Sequence, residues 1–138
     1  MIAIRKGNVE DIDAVLALWK IATTMPSATD DAAGIEHLLT HSPDGLILAF
    51  DGDALVGSVI ALFDGWRGAM YRLAVIPSHR RRGIATRLVD EGERQLRARG
   101  ARRLHMVIAP DEPRAEAFWR HAGYDEHSGA KRFTKTLQ

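Results

Sequence analysis

The sequence predicts an α/β (α+β) domain built on a mixed sheet, and three observations carry that reading. Apolar residues recur at helical spacing in several segments, and short runs rich in Val, Ile and Leu, bounded by Gly, Pro and Asp, alternate with them. Residues 70–109 read strand, helix, strand, an order that makes the two strands parallel with a right-handed crossover. At 138 residues the chain has the size of one domain, expected to span residues 1–138 without a linker, repeat or low-complexity segment.

Each element has its own signal. Ile2, Ala3 and Ile4 form a short strand, followed by Gly7 and Asn8. Asn8 is placed to cap a helix with Asp11 in its first turn, because Ile12, Val15, Leu16, Leu18 and Trp19 follow at helical spacing. A polar stretch with Met25, Pro26 and Ser27 breaks that helix, and Asp30 or Asp31 caps a second one through Ile35, Leu38 and Leu39. Residues 46–50 form a strand running into Asp51-Gly52-Asp53, a hairpin signal, with residues 54–63 returning antiparallel. A second turn over residues 64–68 leads into a strand at 70–76, stopped by Pro77, which cannot continue a ladder.

A basic loop then precedes a long helix from about Ile84 to Arg99. Its apolar face holds Ile84, Leu88, Val89 and Leu96, and Gly100 ends it. Asp90 with Arg94 and Glu93 with Arg97 are spaced for ion pairs along it. Residues 104–109 form another strand, and Asp111 and Pro113 open a helix with Ala115, Phe118 and Trp119 that stops at Gly123. The alternation of Phe133 and Leu137 predicts one last strand.

Composition narrows the function classes. Hydrophobic residues at 46% and charged ones at 27% are ordinary for a globular chain, which excludes disorder. The absence of Cys excludes disulfides, thiolate zinc sites, iron–sulfur clusters and cysteine nucleophiles. The six histidines lack metal-ligand spacing apart from His37 and His41, which read as a solvated helix face, so no metal is expected. No secretory pattern opens the sequence and no apolar run nears the ~20 residues of a membrane span, so a cytoplasmic, membrane-independent protein is expected.

Net charge of +1 hides an asymmetry. Residues 1–65 hold three Lys/Arg and ten Asp/Glu, a net of −7; residues 66–138 hold sixteen and eight, a net of +8. Nine arginines fall between positions 80 and 103, a positive surface suited to a phosphate-bearing ligand.

The chemistry concentrates in His79-Arg80-Arg81-Arg82-Gly83-Ile84-Ala85-Thr86, between a strand and the mouth of a helix. Unpaired backbone N–H groups and the positive end of the helix dipole meet there, so an anion is stabilised without any special side chain. Gly83 lets the backbone approach a ligand, Ala85 is nearly as small, and the arginines add bidentate donors. A solvated basic face leading into an ordinary helix is the bland alternative. A nucleoside-triphosphate P-loop and a dinucleotide fingerprint both fail on the glycine pattern. Nucleic-acid binding is weakened by interleaved acids and few aromatics.

Residues 80–85 resemble motif A of the GNAT superfamily of N-acetyltransferases, Gln/Arg-x-x-Gly-x-Gly/Ala. Residues 71–77 look like that family's fourth strand, and residues 115–124, ending in Gly123-Tyr124, are similar to its motif B. The resemblance implies a largely antiparallel sheet of six to seven strands with about four helices, and a splayed parallel strand pair around motif A. It implies acetyl-coenzyme A (acetyl-CoA) as cosubstrate, its pantetheine arm lying on Leu73, Ala74 and Val75 and its pyrophosphate on Arg80, Arg81, Arg82, Gly83, Ile84, Ala85 and Thr86. An amine acceptor attacks the thioester, and a backbone N–H near Ala74 or Val75 holds the oxyanion.

Asp64 and Glu112 are the candidate bases. Tyr124 and Tyr71 are the candidate acids, since Trp119 occupies, in the coenzyme site, the position of the family's usual tyrosine, and indole delivers no proton. Trp66 and Asp64 are candidate acceptor-site residues, with packing or a homodimer contact as the alternatives for Trp66. The rival readings are a non-catalytic acyl-CoA sensor or partner module and a nucleic-acid-binding protein.

Overall fold

In a computed structural model of the chain, described over residues 1–22, 26–109 and 112–137, two compact units are present: Met1–Val107 and Ile108–Gln138. Met25 and Asp111, two of the residues invoked above, lie outside the described residues. The first unit contains β1 (Ile2–Lys6), α1 (Ile12–Ala22), α2 (Ala32–His41), β2 (Leu46–Asp51), β3 (Ala54–Phe63), β4 (Gly68–Val75), α3 (Ile84–Ala98) and β5 (Leu104–Met106). The second contains α4 (Pro113–His121). The sheet order is β1-β2-β3-β4-β5, antiparallel throughout except for the parallel pair β4 and β5.

The helices form where the apolar period and the caps agree. Asn8 and Asp11 make a reciprocal capping box at a single 3-10 turn, Val9–Asp11, that feeds α1. Arg5 grips the Asp11 carboxylate with two bonds of 2.8 and 2.9 Å, and that bond foremost holds the Asp11 carboxyl below the ordinary range. Of the two aspartates before α2, Asp31 is the cap, accepting from the Gly34 amide at 2.7 Å. The amides of Gly100 and Ala101 bond back to the carbonyls of Arg97 and Leu96, a Schellman end that needs the positive φ of Gly100.

The sheet is packed on both faces. Ile12, Val15, Leu18 and Trp19 of α1 and Ile35 of α2 meet Leu46, Leu48, Ile60 and Ala74 on one face. On the other, Leu88 and Ile84 of α3 lie against Gly57, and Gly92 of α3 sits over Met70. Double coverage explains why β2 is apolar at every position from Leu46 to Ala49 instead of alternating.

Three expectations need correction. Five strands are present among the described residues rather than six to seven, because residues 131–137 join no ladder and leave Phe133 and Leu137 exposed. Alternation marks a face; only a neighbouring strand makes it a strand. Second, β5 ends at Met106, three residues short of the predicted end. Its partner β4 turns into the left-handed region at Arg72, φ 54, two residues past the last paired position, and register cannot continue across that break. Third, Arg94 forks onto Glu91 rather than pairing with Asp90, whose shorter side chain reaches less far; Glu93 and Arg97 do pair, at 3.8 Å.

Candidate active site

The end of β4 and the start of α3 bring the expected ligand-binding residues together. β4 pairs with β5 only through Gly68, Ala69 and Met70, so residues 71–75 run on without a β5 partner. A strand edge with unpaired backbone groups is a template for an extended ligand. Within that stretch β4 bulges: Ser58 faces Ala74 and Ile60 faces Tyr71, leaving Arg72 and Leu73 opposite Val59 alone.

Beyond β4, a single 3-10 turn at Pro77–His79 leads to the basic loop. Arg80 is extended, with Nε donating to the Val75 carbonyl at 3.1 Å. Arg81 is left-handed at φ 64 and Gly83 at φ 78. The first bond of α3 runs from the Arg87 amide to the Gly83 carbonyl, and no side chain caps the helix. The amides of Gly83, Ile84, Ala85 and Thr86 therefore precede the hydrogen-bonded part of α3, a row of donors at the positive end of its dipole. Nothing lies within 4 Å of where a Gly83 Cβ would stand, so glycine is favoured there by its φ and not by crowding, and the space above it is open. Arg81 and Arg82 are exposed beside it.

His79 anchors the loop from behind. Its Nε2 lies 2.9 Å from Asp51 Oδ2 at the end of β2, and its Nδ1 lies 2.8 Å from Ser78 Oγ. The His79 bond is the main reason that the Asp51 carboxyl titrates below its usual range.

Met70 packs toward Gly92 of α3, so pleat alternation sends the side chain of Tyr71 to the opposite face, that of α1. Tyr71 is 50% exposed and is the first residue past the β5 ladder. Asp64 and Trp66 sit instead on the turn at the paired end of β4, beyond the three strand steps from Gly68 to Tyr71, about 10 Å at the usual rise. Asp64 Oδ1 accepts from the amides of Arg67 at 2.7 Å and Trp66 at 2.8 Å, and those bonds lower its pKa. Trp66 is 72% exposed with the Arg67 guanidinium 4.2 Å from its ring. The structure does not bring this turn to the open stretch of β4.

In the second unit, Glu112 is the half-buried residue before α4 and makes no capping bond. Trp119 lies between Phe118 and Tyr124, ring centroids 5.2 and 4.8 Å away, both edge to face. Tyr124 is placed by a Schellman end in which its amide bonds to the Trp119 carbonyl.

Sequence reasoning missed one cluster. Arg72 forms a bidentate ion pair with Asp30 from the segment before α2, and the buried Ser58 hydroxyl bridges the Arg72 carbonyl and Trp19 Nε1. The signal was a lone charge inside an apolar strand, which has to find a partner when the strand is covered. His37 and His41 stack on an exposed helix face, and no group of His, Asp or Glu able to hold a metal ion occurs among the described residues. No helix among them is long and apolar enough to cross a membrane.

Residues 12–124 match the family described as acetyltransferase (GNAT) family. An acetyltransferase of Pectobacterium atrosepticum is 37% identical over 108 residues, covering 78% of this chain and 77% of that protein. The crystal structure of Ard1 from Thermoplasma volcanium superposes with a TM-score of 0.83 at 19% identity, covering 92% of this chain and 84% of the other. The structure of AAC(6')-Iy with a CoA bisubstrate analogue gives a TM-score of 0.77 at 20% identity, covering 99% of each chain.

Proposed function

The chain belongs to the GNAT acetyltransferase family, and on that premise we propose that it transfers an acetyl group from acetyl-CoA to an amine by direct attack in a ternary complex. One observation carries the reading: an unpaired strand edge, residues 71–75, leads directly into a left-handed, glycine-containing loop whose amides open α3. An extended pantetheine suits the first, and a diphosphate suits the second. The CoA bisubstrate analogue held by AAC(6')-Iy in the same fold supports this assignment.

In this reading Leu73, Ala74 and Val75 align the pantetheine and thioester, and a backbone N–H near Ala74 or Val75 receives the oxyanion. Arg80, Arg81, Arg82, Gly83, Ile84, Ala85 and Thr86 hold the diphosphate. The amine nitrogen forms the new C–N bond, the C–S bond breaks, and the departing thiolate takes a proton. We assign that proton to Tyr71, whose face and exposure beside the open edge suit the role better than Tyr124 against Trp119. Residues 1–138 are proposed as one acetyltransferase domain, in keeping with a family match over residues 12–124. Trp66, away from the open edge, is proposed as a homodimer contact, which sedimentation of wild type and Trp66→Ala would test.

The test is thiol release from acetyl-CoA with a panel of cationic and neutral amines. Amine-dependent release with stoichiometric acetylation is expected. Tight CoA binding with no transfer to any amine would overturn the transfer reading and leave an acyl-CoA sensor.

A further inference from the structure

Arg72 stands in an apolar strand with a left-handed backbone that side chains bearing a Cβ resist. Three contacts hold it there. Its Nε and Nη2 donate to Asp30 Oδ1 and Oδ2 at 3.0 and 2.8 Å; its carbonyl accepts from Ser58 Oγ at 2.8 Å; and Ser58 Oγ in turn accepts from Trp19 Nε1 at 3.0 Å. Exposed ion pairs hold little, but this one is bidentate, with side chains only 20% and 16% exposed. Asp30 Oδ2 also accepts the Ser27 amide at 2.9 Å, so the same carboxylate orders the segment that leads into α2.

A bulge re-aims the backbone that follows it, and here that backbone is residues 73–75. A glycine would adopt φ 54 unaided; a clamped arginine makes the aim of β4 depend on a carboxylate 42 positions earlier in the chain. We infer that Asp30, assisted by Ser58 and Trp19, is a positioning residue for acetyl transfer: it clamps Arg72 in the left-handed conformation and so aims the open edge of residues 73–75 at the thioester. The inference rests on the acetyl-transfer reading above, and its consequence is that the segment before α2 and the oxyanion-binding strand move as one piece.

The experiment compares the full-length wild type, Asp30→Ala, and Asp30→Ala/Arg72→Gly. Asp30→Ala is expected to lower kcat/KM for thiol release by about 10- to 100-fold, chiefly in kcat, since small misplacement of reacting groups has effects of that size. The double variant, whose glycine reaches the left-handed region freely, is expected to return to within about threefold of wild type. Amide hydrogen exchange at Ile76, whose amide donates to the Val56 carbonyl at 3.0 Å just past the bulge, reads the clamp without substrate: faster in Asp30→Ala, restored in the double variant. Wild-type exchange in Asp30→Ala, or a double variant no better than the single one, overturns the clamp. Altered exchange in a protein that binds no CoA supports the clamp and overturns the acetyl-transfer reading alone. If Asp30→Ala does not fold, Asp30→Asn, which keeps the shape and loses the charge, carries the same expectations.

Discussion

Tyr71 is one of two phenols in the chain and the one carried by β4 itself. Met70 faces α3 and Tyr71 leaves the other face, half exposed where the β5 ladder has ended. A phenol there can protonate a departing thiolate, a task typically contributing about 10²- to 10⁴-fold in rate. Tyr71→Phe should therefore lower kcat by about 10²-fold while calorimetry finds acetyl-CoA affinity unchanged; an unaltered kcat would remove Tyr71 from the reaction. Asp64 shows the opposite situation. Two backbone amides hold its carboxyl below the usual range, so it is ionised throughout neutral pH, and an inflection near pH 7 in the rate profile would belong to another group.

Among the elements, the start of α1 offers a clean test of a cap. Asp11 closes the capping box and receives the Arg5 fork, with its side chain only 12% exposed. Asp11→Ala should lower stability by about 1–2 kcal/mol at pH 7. Because the folded carboxyl titrates below its unfolded value of ~3.9, its contribution is fully present above that pH and is lost as pH falls through the folded value. Denaturant titrations at pH 7 and pH 3 should show the gap between variant and wild type narrowing at the lower pH; a gap independent of pH would contradict the ionic account.

The elements also show what local sequence encodes. The bounds of β3 and the start of α3 were readable because Gly, Asp and Arg punctuate runs of fixed period. The amide row at Gly83 was readable too, since a helix mouth and its glycine are neighbours in sequence. The early end of β5, the unpaired tail and the Asp30–Arg72 clamp were not, because each depends on a partner far away in the chain. A strand's length is set by its neighbour's shape, and the bulge at Arg72 has no periodic signature.

For the molecule as a whole, the division of charge bears on the acceptor. We propose that the net −7 over residues 1–65 favours a cationic amine and that the arginines between positions 80 and 103 favour the coenzyme's phosphates. Raising ionic strength from low to about 0.15 M, where charges separated by more than ~8 Å are screened, should raise KM for a diamine more than for a singly charged amine of similar size. Equal salt dependence would leave the acidic half without a role in acceptor choice.

The central claim is that main-chain amides at the mouth of α3 grip the coenzyme's diphosphate. Calorimetric titration of CoA into wild type and Gly83→Glu tests it most directly, because Gly83 holds φ 78 with open space where its side chain would point. The account predicts binding to the wild type and at least about a tenfold loss in the variant, whose side chain brings a negative charge and backbone strain to the anion's seat. No heat with the wild type, or equal affinity in the folded variant, would contradict it.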